Sequence, residues 1–205
     1  MEQYWIWLSS VEHIGPKRFY QLLSQFEDAR SVWDNAGRGM AFLGEKALSS
    51  LMRARTESYL YALFSALESK GIAAVTRLSD GYPRRLTEIF DPPPTLYVRG
   101  EPNLNDERAV SVVGSRHASR DGRRAAEEIS EALAREGVAV VSGMARGIDT
   151  AAHQGALKAR GRTVAVLGCG VDVTYPPENG PLVEKILETG CSVISEYVPG
   201  TRPLA

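Results

Sequence analysis

The sequence predicts an α/β protein in two parts: a small all-α region, then a Rossmann-like domain with a doubly wound, mostly parallel sheet. Three observations carry this. Apolar residues recur at helical spacing through residues 1–70. From Ala109 onward, short apolar runs alternate with amphipathic stretches. The turn after each of the first two runs combines glycine, serine and arginine.

In the first part, Phe19, Leu22, Leu23 and Phe26 share one helical face, and Tyr59, Leu60, Leu63, Phe64 and Leu67 another. Gly15-Pro16 and Gly37-Arg38-Gly39 break the helices, and Gly71 stops the last. Residues 71–107 hold two strand candidates, Ala73–Thr76 and Thr95–Arg99, around the non-helical Asp91-Pro92-Pro93-Pro94. The domains are therefore 1–70 and 71–205, with a linker around residues 70–80. Strand candidates then follow at Val110–Val113, Val138–Val141, Thr163–Leu167 and Cys191–Ser195. Between them lie helices at Ser119–Glu136, with Gly122, Ala126, Ile129 and Leu133 on its inner face, at Asp149–Arg160, and after Pro181. Apolar strands alternating with such helices imply a parallel sheet covered on both faces. The last strand is expected to leave an unfinished sheet edge, which invites association.

Composition narrows the class. With 43% hydrophobic and 24% charged residues the chain is an ordinary globular one. No run approaches the ~20 apolar residues of a membrane helix, and residues 1–8 lack a signal peptide's basic start and cleavage site. A cytoplasmic protein without a membrane partner is expected. Cys169 and Cys191 are too few for a zinc site, and the strand pattern sets them ~17 Å apart, too far for a disulfide. His13, His117 and His153 share no ligand spacing, so no metal and no cofactor are expected. The net charge is −1, yet Arg108–Arg162 holds ten Lys/Arg against six Asp/Glu. A locally basic stretch in a neutral chain fits an anion site.

Ligands of open α/β sheets bind beyond the carboxyl ends of the strands. Those ends carry Gly114-Ser115-Arg116 with Ser119, Ser142-Gly143 with Arg146-Gly147, and Gly168-Cys169-Gly170. Glycines let backbone N–H groups approach an anion, helix N-termini attract it, and arginine pairs with phosphate in two bonds. We read Gly114, Ser115, Arg116, Ser119, Ser142, Gly143, Arg146 and Gly147 as a phosphate-binding groove. Ser119 is a helix N-cap first and a contact second. Arg120, Arg123 and Arg124 are either a solvated face or secondary contacts. His153 is read as packed within the fold, Asp149 and Asp172 as loop-structuring, and Glu196 as the partner of a donor or an arginine. The dinucleotide fingerprint fails after the first and third strands, and P-loop lysine and nucleophile elbow are absent. Binding without catalysis is the expected activity.

The segments Val112-Val113-Gly114-Ser115-Arg116, Val141 to Asp149 with Ala152-His153, Thr163 to Asp172 with Tyr175-Pro176, and Ile194-Ser195-Glu196 closely resemble the DNA-processing protein A family (DprA, or Smf). So does the lead-in, Tyr82-Pro83 and Pro93 to Gly100. The resemblance covers about residues 72–203. It implies a single-stranded DNA-binding protein of natural transformation that protects incoming strands, helps load the RecA recombinase, forms homodimers and is not an enzyme. It also implies a domain that continues past Leu204-Ala205, so that this chain reads as truncated. Val11 to Leu23 resembles a helix-hairpin-helix element, with Lys17 as a possible contact, while the same region also reads as a purely structural SAM-like bundle. The competing function is a nucleotide or sugar-phosphate hydrolase of the related lysine-decarboxylase-like fold, whose P-G-G-x-G-T motif is missing. A pure interaction module is the third reading.

Overall fold

The computed structural model describes residues 2–106 and 108–203; Met1, Glu107, Leu204 and Ala205 lie outside the described residues. The chain divides into two compact units, Met1–Leu96 and Tyr97–Ala205.

The first unit is helical: α1 (Glu2–Ser10), α2 (Pro16–Phe26), α3 (Ala29–Asp34), α4 (Glu45–Ala54) and α5 (Glu57–Ser69), followed by strand β1 (Ala73–Thr76). Local chemistry sets the helix starts. Pro16 occupies the first turn of α2, where its missing N–H costs nothing. Asp28 accepts from the Ser31 N–H (2.7 Å) to cap α3, and Thr56 accepts from the Tyr59 N–H (3.1 Å) to cap α5. The aromatic positions read from the sequence converge on one core around Trp7, Phe19, Leu22, Trp33 and Leu51. Trp7 spends its indole N–H on the Ala54 carbonyl (2.8 Å) and meets Trp33 edge-on.

Strand β2 (Thr95–Gly100) crosses the boundary between the units. The second unit continues as β3 (Ala109–Ser111), α6 (Arg120–Arg135), β4 (Ala139–Ser142), α7 (Ile148–Lys158), β5 (Thr163–Val166), α8 (Gly180–Glu188) and β6 (Ser192–Ser195). The protein is a mixed α/β fold with one six-stranded sheet in the order β1-β2-β6-β5-β4-β3. Strands β3 to β6 are mutually parallel, in register Val110↔Val140, Val141↔Val164 and Ala165↔Val193.

Two expectations about the sheet need correction. Strand β6 is not an edge: β2 pairs antiparallel with its free side, Tyr97 opposite Ser195. The open parallel edge is β3. Second, the parallel strands run in chain order, so right-handed crossovers carry α6, α7 and α8 to the same face. Met144, Leu157, Ala165, Val183, Ile186 and Val193 form the core there, and both cysteines lie in it, buried and free.

The inner face of α6 also differs from expectation. Ala126 is buried as expected, but Ile129 is 56% exposed, and Ser130 and Ala134 are buried in its place. The reason lies in α7. A Cβ on Gly155 would stand 2.2 Å from the Glu127 carbonyl oxygen, so the two helix backbones nearly touch. Only small side chains fit between helices that close. His153, on the same helix, is fully buried. Its Nδ1 lies 2.7 Å from the Thr163 hydroxyl, whose proton goes to the Val140 carbonyl (2.8 Å). The ring and the hydroxyl share the first of these hydrogen bonds, and Nε2 has no partner among the described residues.

Candidate nucleic-acid interface

The loop after β3 and the loop after β4 are built against each other. Gly147 has φ +80°, and a Cβ there would meet the Ser115 carbonyl oxygen at 2.2 Å. A Cβ on Gly114 would strike Ile148 Cγ1 at 2.7 Å. These glycines serve the close approach of two loops. Gly143 likewise leaves room for the Asp149 carboxylate, 2.8 Å from where its Cβ would be. Asp149 in turn accepts from the Ala145 N–H (3.3 Å), and Thr150 donates to the Ala145 carbonyl (2.7 Å). Asn179, from the segment before α8, donates to the Met144 carbonyl (2.8 Å). Two side chains of α7 and one from the segment before α8 thus tie down the β4–α7 loop.

The sequence-derived site residues separate into groups. Arg116 is exposed and makes no ion pair or hydrogen bond among the described residues. Ser115 Oγ accepts from the His117 N–H (3.1 Å), which shapes the turn. Ser119 caps α6 by accepting from the Gly122 N–H (3.0 Å). Ser142 is a different case. Its side chain is buried and donates to the Val112 carbonyl (2.7 Å), so the hydroxyl joins two strands and faces no groove. Lys17 is exposed at the start of α2, in the first unit, and lines neither cavity described below. Asp149 and Asp172 do structure loops; Asp172 accepts from the Gly200 N–H (2.6 Å). Glu196, read as a partner for a donor or an arginine, is instead exposed and unpaired among the described residues.

Two concavities result. One, of about 140 Å³, sits at the strand ends between Arg116, Gly143, Ala145, Arg146, Gly168 and Tyr175. The other, of about 420 Å³, lies between α6 and α7, with Arg120, Arg123, Arg124 and Arg146 in its walls. Arg146 lines both. Its Nε donates to the Glu178 carboxylate; that bond raises the guanidinium pKa and lowers that of Glu178. Both side chains are about half exposed, so water screens the pair and leaves it exchangeable.

Sequence reading missed Glu178, Thr150, Gln154 and the site position of Tyr175. Tyr175 was findable, since it follows the third parallel strand on the same sheet edge. Glu178 carries no sequence signal, being 32 residues from Arg146. Cys169 also borders the strand-end cavity, but its thiol is buried and its pKa raised by that burial, which opposes reactivity.

The family model for DNA recombination-mediator protein A matches residues 73–205. The chain belongs to this DprA/Smf family. Among its relatives, Protein Smf of Synechocystis sp. is 34% identical over 98% of this chain and 52% of its own length. DNA processing protein DprA of Streptococcus pneumoniae is 45% identical over 62% of this chain and 44% of its own length. The chain thus spans about half the length of the curated relatives it matches. Among solved structures, the X-ray structure of DprA from S. pneumoniae superposes with a TM-score of 0.78 and 32% identity, over all of this chain and 70% of the other. DNA processing protein A from Helicobacter pylori, described for its single-stranded DNA binding mode, gives 0.55 and 26%, over 65% of this chain and 59% of the other. In this DprA/Smf family member no helix among the described residues is long and apolar enough to cross a membrane.

Proposed function

We propose that this chain binds single-stranded DNA through its phosphate backbone at the strand-end cavity, as part of a recombination-mediating protein. The observation that carries the reading is Arg116. It is a guanidinium with no carboxylate partner among the described residues, and it lines a cavity with Gly143, Ala145 and Arg146. A fork of donors beside glycine-rich backbone suits a phosphate. The Tyr175 ring in the same wall, 46% exposed, offers a base a stacking face whatever its identity. Gly114, Ser115, Ser119 and Gly147 act by shaping the loops that present these groups. Phosphate and stacking contacts predict weak sequence preference and a preference for single strands over duplex. RecA as recipient of the bound strand, a homodimer, a role in natural transformation and the absence of catalysis belong to the same proposal through the family membership.

The test is anisotropy titration of labelled single-stranded and duplex oligonucleotides at two salt concentrations. Binding should weaken steeply with salt, and Arg116→Ala should weaken it further and reduce the salt slope by about one. Equal affinity for both DNA forms, or an Arg116→Ala variant that binds normally, would overturn the reading. Saturable binding of a free nucleotide with no oligonucleotide binding would favour the hydrolase alternative.

A further inference from the structure

The groove between α6 and α7 poses a problem that the strand-end cavity does not solve. Arg120, Arg123 and Arg124 occupy the first turns of α6, at the helix end whose dipole repels cations. Arg120 stands three and four residues from the other two, a spacing at which like charges destabilise a helix. Asp121, in the same first turn, offsets part of this. Glu128 takes Arg124 (2.8 Å), while Glu127, the one carboxylate in the groove lining among the described residues, lies 3.6 Å from Lys158. Arg123 gives one N–H to the Ala118 carbonyl (2.7 Å) and keeps its charge. Arg120 has no partner among the described residues. These contacts leave the Arg120 charge unanswered, and a concavity of about 420 Å³ opens in front of the cluster.

The facing wall comes from α7 and is neutral: Thr150 and Gln154, a hydroxyl and an amide. Arg146 stands in the lining of both this groove and the strand-end cavity. A flexible polyanion lying in one therefore meets its next cation at the threshold of the other. We infer that the α6–α7 groove is a second phosphate subsite, holding a further stretch of the same single strand, which crosses between the two cavities over Arg146. This inference rests on the reading under Proposed function and extends it from one pocket to a path. An acidic protein segment is the alternative occupant. The shared Arg146 favours the strand, because one continuous backbone satisfies both cavities.

The test uses the full chain and oligothymidylates of about 4 and about 16 nucleotides, lengths that span known single-strand site sizes. Arg120→Gln removes the unpaired cation, and Gln154→Glu places a repelling charge on the opposite wall. Each should weaken the long oligonucleotide about fivefold to tenfold, with the Arg120→Gln salt slope falling by about one. The short one, held at the strand ends, should change less than about twofold. Arg120→Gln should melt no earlier than the unaltered chain, since it relieves repulsion. The inference is overturned if both variants bind the long oligonucleotide normally while Arg116→Ala weakens it, which leaves the strand-end reading standing. It is overturned as well if short and long oligonucleotides lose affinity alike, or if Arg120→Gln melts early. If polyglutamate displaces no DNA from the unaltered chain but binds it more tightly than DNA, the groove belongs to an acidic segment. Absence of any DNA binding at low salt, or indifference to Arg116→Ala, counts against the strand-end reading first.

Discussion

Gly155→Ala sets two effects of known size against each other. Alanine is the better helix former, by about 1 kcal/mol in a helix interior. On propensity alone the substitution should stabilise α7. The added methyl, however, would lie 2.2 Å from the Glu127 carbonyl oxygen and 3.0 Å from its carbon. These are backbone atoms of α6, and no rotamer change moves them. Normal carbon–oxygen contact begins near about 3.3 Å, so the helices must part by roughly 1 Å. That withdraws Ala126, Ser130 and Ala134 from a closely packed seam. Overpacking of this kind costs about 1–3 kcal/mol, and a rigid backbone clash belongs at the upper end. Net of propensity, roughly 2 kcal/mol is lost, a fall in Tm of roughly 5–10 °C. Circular-dichroism melts read it directly. Gly168→Ala is the control, because nothing lies within 4 Å of its added Cβ. It should melt within about 2 °C of the unaltered chain. A Gly155→Ala chain that melts at or above the unaltered temperature would refute the reasoning.

Three further outcomes are expected. Burial holds the His153 pKa down at about 4 from an ordinary 6.5. Its stabilising contribution is therefore complete above pH 6.5 and is lost as pH falls towards 4, by about 3 kcal/mol in all. Urea denaturation at pH 7, 5.5 and 4.5 should show a steeper fall than in His153→Gln; equal slopes would contradict the buried neutral imidazole. Glu178→Gln removes the carboxylate that competes for Arg146. Single-stranded DNA affinity should rise severalfold, with a salt slope steeper by up to about one, whereas weaker binding would mean that Glu178 orients Arg146 for its ligand. Asn179→Ala strips the donor from the Met144 carbonyl. A buried acceptor left unsatisfied costs about 1–3 kcal/mol, readable in the same melts; an unchanged Tm would show that the loop does not need this tie.

Much of the second unit was readable because its signals are local. Ser119 before α6, Pro181 in the first turn of α8 and Gly190 after it act on backbone groups within a turn of themselves. The strand-end loops stood out by their glycine, serine and arginine content, and sheet topology sends every such loop to one edge. Ser142 misled for the complementary reason. It sits at the start of the β4–α7 loop, but its side chain turns inward to Val112, and side-chain direction at a strand's last residue is set by the neighbouring strand. Ile129 misled because helical spacing placed it on the inner face, while the Gly155 contact made the seam too narrow for it.

The sequence by itself determined which segments become strands and helices, where the helices begin, and which residue types gather at the carboxyl ends of the strands. These depend on interactions across a few residues, and the chemistry of those residues suffices. Only the tertiary structure decided that β6 lies inside the sheet, with β2 antiparallel beside it, and that α6 presents alanines to α7. Only the tertiary structure joined Arg146 to Glu178 and set it between two cavities. Those outcomes turn on which distant surfaces meet and how closely. Pairing across 32 residues depends on the path of the whole chain, because neither side chain constrains its partner until the sheet and its loops have assembled.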